Sequence, residues 1–102
     1  RYIENNLSNT ELSNETIAKE LKISEVYLRK LFATHLGTSP KQYILDMRIQ
    51  KAMELLVESP LSVTDISHEC GFSSVYHFCR TFKQRASLTP TQYAEKNRIF
   101  RI

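Results

Sequence analysis

The sequence predicts an all-α protein of about seven helices, built as two helix-turn-helix subdomains joined by one long linker helix. Three observations lead there. Only 2 glycines and 3 prolines punctuate 102 residues, and the stretches between them are rich in Leu, Glu, Lys, Gln and Ala, which favours helices over a sheet. Ser and Thr recur where helices need caps. The chain also matches itself when slid by about 50 residues. Hydrophobic residues make up 41% and charged residues 25%, a globular rather than disordered composition, and no apolar run approaches membrane-spanning length. One compact core or two small ones are expected of a chain this short.

Tyr2, Ile3 and Leu7 already follow a helical pattern, so the chain reads as a fragment of a longer protein. Ser13 caps a short helix that ends near Leu21. A tight turn at Lys22-Ile23 follows, and a second helix opens at Ser24 with Leu28, Leu31 and Phe32 on its buried face. In Ser39-Pro40-Lys41-Gln42 the Ser caps, Pro takes the first turn and Gln closes a capping box. Tyr43, Ile44, Met47, Ala52, Leu55 and Leu56 then share one face of a long helix from about Pro40 to Glu58. Such a rod spans roughly 30 Å, close to the ~34 Å repeat of B-DNA. Pro60 disfavours helix at the residue before it, which makes residues 58–62 a boundary. The pattern then recurs. Ser62 caps, Asp65 completes a capping box, and the helix ends near Cys70. Gly71-Phe72 makes the turn, a second helix opens at Ser73-Ser74 with Phe78 and Phe82 buried, and Thr89-Pro90-Thr91-Gln92 starts a last helix.

The repeat is specific. At an offset of 49, Ile17, Glu20, Ile23, Val26 and Tyr27 fall on Ile66, Glu69, Phe72, Val75 and Tyr76. One inserted residue then shifts the register to 50, and Leu28, Phe32, Pro40, Gln42 and Tyr43 fall on Phe78, Phe82, Pro90, Gln92 and Tyr93. Two short helices joined by three or four residues make a helix-turn-helix. The resulting division is a first subdomain over 1–38, a linker helix over 39–58 and a second subdomain over 59–102.

The net charge is +3, too small by itself to argue for a nucleic-acid partner. Its distribution says more. No Asp or Glu occurs from Val26 to Ile44, which holds Arg29, Lys30 and Lys41, or from Cys70 to Ala94, which holds Arg80, Lys83 and Arg85. With those six basic residues set aside, the rest of the chain carries −3. Two basic islands sit in an acidic frame, and each coincides with one copy of the repeat.

The pattern of Ile17-Ala18, Leu28 to Phe32, Gly37, Ser39-Pro40, Tyr43-Ile44, Arg48-Ile49, Ala52, Leu55-Leu56, Ile66, Gly71-Phe72, Phe78, Arg80, Phe82-Lys83, Thr89-Pro90 and Tyr93 resembles the AraC/XylS family of bacterial transcription regulators, over essentially the whole chain. The resemblance implies a homeodomain-like fold with two helix-turn-helix subdomains on one face of double-stranded DNA. It also implies a separate sensing or dimerisation domain in the full-length protein. Two positions depart from the family pattern. Lys22 replaces the usual Gly at a turn position that often needs positive φ, and Ser87 stands where the first unit has Gly37.

Helical spacing leaves Val26, Arg29, Lys30 and Ala33 opposite the buried face of the first recognition helix. Arg29 and Lys30 can donate to guanine, and Val26 can touch a thymine methyl. Tyr76, His77 and Arg80 occupy the comparable side of the second, with Val75 and Cys79 at its margins. Arg80 is the strongest single candidate. Phosphate contacts are expected from helix N-termini and adjoining cations, namely Ser24, Ser39, Lys41, Ser74, Lys83 and Thr89. Each of these has a plainer role as a cap or a solvated charge.

Other classes fare worse. His68, Cys70, His77 and Cys79 form an H-x-C…H-x-C pattern, but residues i and i+2 of a helix point about 200° apart, so neither pair closes on one ion. No metal or cofactor is expected. No phosphate-cradling Gly loop, nucleophile elbow or carboxylate cluster suggests an enzyme. Two cysteines are too few for a disulfide framework, and no signal peptide or membrane span is visible, so the cytoplasm is the expected compartment. The rival reading is a helical interaction module that docks on RNA polymerase or a partner regulator and contacts DNA only weakly.

Overall fold

The computed structural model describes residues 2–98; the ends of the two expected subdomains, Arg1 and residues 99–102, lie outside them. Seven helices and no strand occur among the described residues: α1 (Tyr2–Asn5), α2 (Asn14–Leu21), α3 (Glu25–Leu36), α4 (Pro40–Glu58), α5 (Val63–Glu69), α6 (Val75–Ala86) and α7 (Pro90–Arg98). The molecule is elongated, 48 × 23 × 22 Å, with a radius of gyration of 14.9 Å, above the ~13 Å of a compact domain this size.

Two cores explain the shape. Ile3, Leu7, Leu12, Ile17, Ala18, Leu28 and Ile44 form the first, with Phe32, Tyr43 and Met47 packed on it. Ile49, Ala52, Leu56, Ile66, Cys70, Phe72, Phe78, Phe82 and Ala94 form the second. The first is mainly aliphatic. The second is a ladder of rings, with Phe72 to Phe78, Phe78 to Phe82 and Phe82 to Tyr93 centroids 5.2, 5.8 and 5.6 Å apart, spacings at which edge-to-face pairs attract. Helix α4 belongs to both. Its Ile44 enters the first core, and its Ile49, Ala52 and Leu56 enter the second.

Local bonds set each helix start. The hydroxyls of Ser13, Ser24, Ser39, Ser62 and Ser74 accept from the backbone N–H three residues on, and Pro40 adds its preset φ at the start of α4. The capping boxes fall differently from expectation. Ser13 and Thr16 close one, as do Thr89 and Gln92. At Ser62 only the forward bond from Asp65 N–H is seen. Gln42 does not close its box, because its side-chain carbonyl is taken by Arg85 of α6.

Both helix-turn-helix turns are made alike. The N–H of Ile23 reaches the Ala18 carbonyl and that of Lys22 the Lys19 carbonyl; Phe72 and Gly71 repeat this on Ser67 and His68. These paired 6→1 and 5→2 bonds need a left-handed residue after the helix, and Lys22 has φ 60° where Gly71 has φ 87°. Ser87 likewise has φ 65° where Gly37 has φ 66°. Both departures from the family pattern thus keep the left-handed backbone and bear its steric cost.

The register of the repeat needs one correction. The first turn has three residues, Lys22 to Ser24, and the second has five, Cys70 to Ser74. One of the two extra residues arises because α5 ends a residue earlier than α2, and the other, Ser73, is inserted before the cap Ser74, so α3 and α6, 12 residues each, match at an offset of 50 from their first residue. Val26 and Tyr27 therefore correspond to Tyr76 and His77. The Val-Tyr identity at offset 49 is chemical coincidence across the inserted residue.

A buried arginine ties the two lobes together. Arg48 of α4 donates from Nε to the Leu7 carbonyl at 3.1 Å and from Nη2 to the Asn9 carbonyl at 2.8 Å. Burial pushes its guanidinium below the usual value, while the two carbonyls accept from two of its five N–H groups. Gly71 closes over the same place, since a Cβ there would overlap the Leu7 carbonyl oxygen and lie 2.9 Å from Arg48 Nε. The end of the first lobe, the middle of α4 and the second turn meet at one point.

Candidate nucleic-acid interface

At about 100° per residue the buried side of α3 is marked by Leu28, and that of α6 by Phe78, Thr81 and Phe82. Val26, Lys30 and Ala33 lie opposite on α3; Tyr76, Arg80 and Lys83 lie opposite on α6. All six are exposed, Val26 and Tyr76 at 63% and 75%. Each stripe thus sets an exposed apolar or aromatic side chain beside a cation, a pairing suited to base edges and phosphates. Lys30 and Arg80 are equivalent residues at the centres of the two stripes.

The structure separates the other two expected base contacts from these stripes. Arg29 lies on the flank of α3, 3.6 Å from Glu25 one turn earlier, an exposed i,i+4 pair that a phosphate or base can displace cheaply. His77 stacks edge-on against Phe72 with centroids 5.3 Å apart. It lines an interlobe cleft of about 360 Å³ with Ser13, Asn14, Lys41 and Arg48.

Several expected contacts converge. Tyr76, Arg80, Lys83 and Thr89 surround one shallow depression together with Cys79 and Gln84. Gln84 was not among the sequence candidates, because a search for cations passes over a neutral amide that can pair bidentately with adenine. Its helix position, four residues after Arg80, was the available signal. Ser24, Ser39, Ser74 and Thr89 all use a hydroxyl lone pair in capping. A hydroxyl has one proton besides its two lone pairs, so capping leaves a donor for an anion.

The charge on α6 is smaller than the sequence count suggests. Arg85 turns away from the stripe and donates to Asp46 of α4 at 2.6 Å and to Gln42. What remains outward is Arg80 and Lys83, with no acidic residue anywhere on α6. The two thiols are unsuited to reaction: Cys70 is buried and pushed up to about 11 by desolvation, and burial also raises Cys79. No group of three or more His, Cys, Asp and Glu side chains converges among the described residues, and none of their helices is long and apolar enough to cross a membrane.

Residues 17–96 match the family model of a helix-turn-helix domain. A transcriptional regulator with an AraC-type DNA-binding domain from Chromobacterium violaceum is 33% identical, with a TM-score of 0.86 over 94% of this chain and 85% of that one. The chain belongs to the AraC-type helix-turn-helix family. The DNA-binding domain of AdpA, a global transcriptional factor solved in complex with a target DNA, superposes with a TM-score of 0.92 at 25% identity, over 98% of this chain and 89% of that one. Among curated relatives, the HTH-type transcriptional regulator CdhR of Pseudomonas aeruginosa is 34% identical over 79% of this chain but only 24% of its own length. The chain spans about a quarter of the length of the curated relatives it matches. It is an AraC-type DNA-binding domain of the kind carried by bacterial transcription regulators.

Proposed function

We propose that this domain reads one face of duplex DNA with both recognition helices, α3 and α6 lying in successive major-groove segments. Residues 1–38 and 59–102 are the two reading units, and 39–58 joins them. The observation that carries this reading is the equivalence of Lys30 and Arg80. Each sits at the middle of the exposed stripe of a 12-residue helix with a Ser cap, and each stripe adds an exposed apolar or aromatic residue one turn earlier, Val26 or Tyr76. Likeness to a domain solved on its target DNA supports it.

In this arrangement Val26, Lys30, Tyr76 and Arg80 touch base edges, with Arg29 and His77 at the flanks. Ser24, Ser39, Lys41, Ser74, Lys83 and Thr89 hold phosphates, the hydroxyls through the proton that capping leaves over. The full-length protein is then a transcription regulator with a further sensing or dimerisation domain, a reading supported by relatives about four times as long. A protein that reads bacterial operators works where the chromosome is, in the cytoplasm.

The test is Arg80→Ala, measured by fluorescence anisotropy on a selected duplex and on its single-base variants. Loss of a bidentate base contact costs about 1–3 kcal/mol and relaxes preference at one position. An equal loss on every duplex makes Arg80 a phosphate contact instead.

A further inference from the structure

Within one turn of α4, both recognition helices are held. Tyr43 packs edge-on against Phe32 of α3 at 5.5 Å, while its neighbours Gln42 and Asp46 receive the two arms of Arg85 from α6, at 2.5 and 2.6 Å. The ring contact is part of the repeat, since Phe82 meets Tyr93 at 5.6 Å in the second unit. The arginine clamp is not. The residue equivalent to Arg85 is His35, and the one equivalent to Asp46 is Lys96, which no such pair can join. Gln92 closes its own capping box on Thr89, whereas Gln42 gives up that bond to meet Arg85. The symmetry of the repeat is broken where the second recognition helix meets the first-lobe end of α4.

We propose that Arg85, through Gln42 and Asp46, is a specificity-determining positioning residue that fixes the angle between α3 and α6 and so the spacing of the two DNA blocks they read. This rests on the two-helix reading above. Arg85 acts on DNA only through the helix it holds: it lies on the side of α6 that faces α4, away from Tyr76, Arg80 and Lys83. The buried Arg48 contact keeps the lobes joined without it, so loss of the clamp frees the angle and not the fold. Each base pair inserted between the blocks moves the second by about 3.4 Å and turns it by roughly 35°. A clamped pair of helices tolerates little of that.

The experiment measures binding of the 102-residue chain to duplexes carrying both selected blocks with spacers from two base pairs short to two long, and to a duplex carrying the α6 block alone. In Arg85→Met the preference for the best spacer over its neighbours falls by roughly fivefold, the upper range for an exposed ion pair, while single-block binding is unchanged. Asp46→Asn moves it the same way, and the exchange Asp46→Arg with Arg85→Asp restores it. Circular dichroism melts check that each variant is folded, and Asp46→Asn carries the test if Arg85→Met is not. A uniform loss on all duplexes, or an unaltered spacing preference, overturns the proposal. Wild-type protein with no preferred spacer overturns the two-helix reading itself, and this proposal with it.

Discussion

Gly71→Ala is the sharpest test of how the lobes are joined. The new Cβ meets two obstacles at once. The backbone at φ 87° is disfavoured for any residue with a Cβ by about 1–2 kcal/mol. The Cβ also overlaps the Leu7 carbonyl oxygen, so that carbonyl must withdraw from Arg48, and a bond from a charged donor is worth about 1.5–3 kcal/mol. Against this, Ala stabilises relative to Gly by about 0.4–1 kcal/mol through the unfolded chain. The expected net loss is about 3 kcal/mol, or a melting temperature lower by roughly 15 °C for a domain of this size. Thermal melts followed by circular dichroism measure it. Arg48→Met and the double variant complete a cycle. Because both changes break the same Arg48 bond to Leu7, the double loss must be smaller than the sum. A loss near 1 kcal/mol, or strict additivity, would mean that Gly71 matters only for its φ and that the three-way contact carries no weight.

Other outcomes follow from the same geometry. Lys22→Gly relieves the left-handed strain at an exposed position and raises stability by about 0.5–1 kcal/mol after the entropy of the glycine is counted; an unchanged or lower midpoint in urea contradicts this. Burial raises the Cys70 thiol to about 11, so the unfolded chain loses that proton first as pH climbs past 9.0. The thiol's contribution is complete below that point and disappears as pH rises through about 11, on the order of 2 kcal/mol. Cys70→Ala should flatten that alkaline decline relative to wild type, and parallel profiles would refute it. Phe82→Ala removes the ring between Phe78 and Tyr93 and costs about 3–5 kcal/mol, which a denaturation midpoint near that of wild type would contradict.

How much of this was legible in the sequence depends on the range of the interaction. Caps at Ser13, Ser24, Ser39, Ser62, Ser74 and Thr89 act over three residues, and a Ser or Thr before an apolar period marks them directly. The left-handed turn at Lys22 was expected from the resemblance to the family, whose pattern has Gly at that position. Arg48 and Arg85 were not. Their partners lie 39 to 43 residues away, and an arginine bound for a buried carbonyl reads the same in sequence as one bound for solvent or phosphate. Arg85 was therefore counted with the basic island, though the fold spends it on α4. The register slip at Val75 and Tyr76 has a related origin. Residue likeness aligned the two units, whereas the caps Ser24 and Ser74, which set the helix phase, were the better guide. On the candidate interface, a search for cations picks out Lys30, Arg80 and Lys83 and passes over Gln84, a neutral amide that lines the same depression as Arg80 and Lys83.

The central claim is that one chain reads two DNA blocks, one with each recognition helix. Selection of bound duplexes from a randomised pool, at low and at near-physiological salt, tests it most directly. The account predicts an asymmetric site with two specified blocks whose centres lie about 10–10.5 base pairs apart, one helical turn. A single specified block, or no enrichment even at low salt, would contradict it.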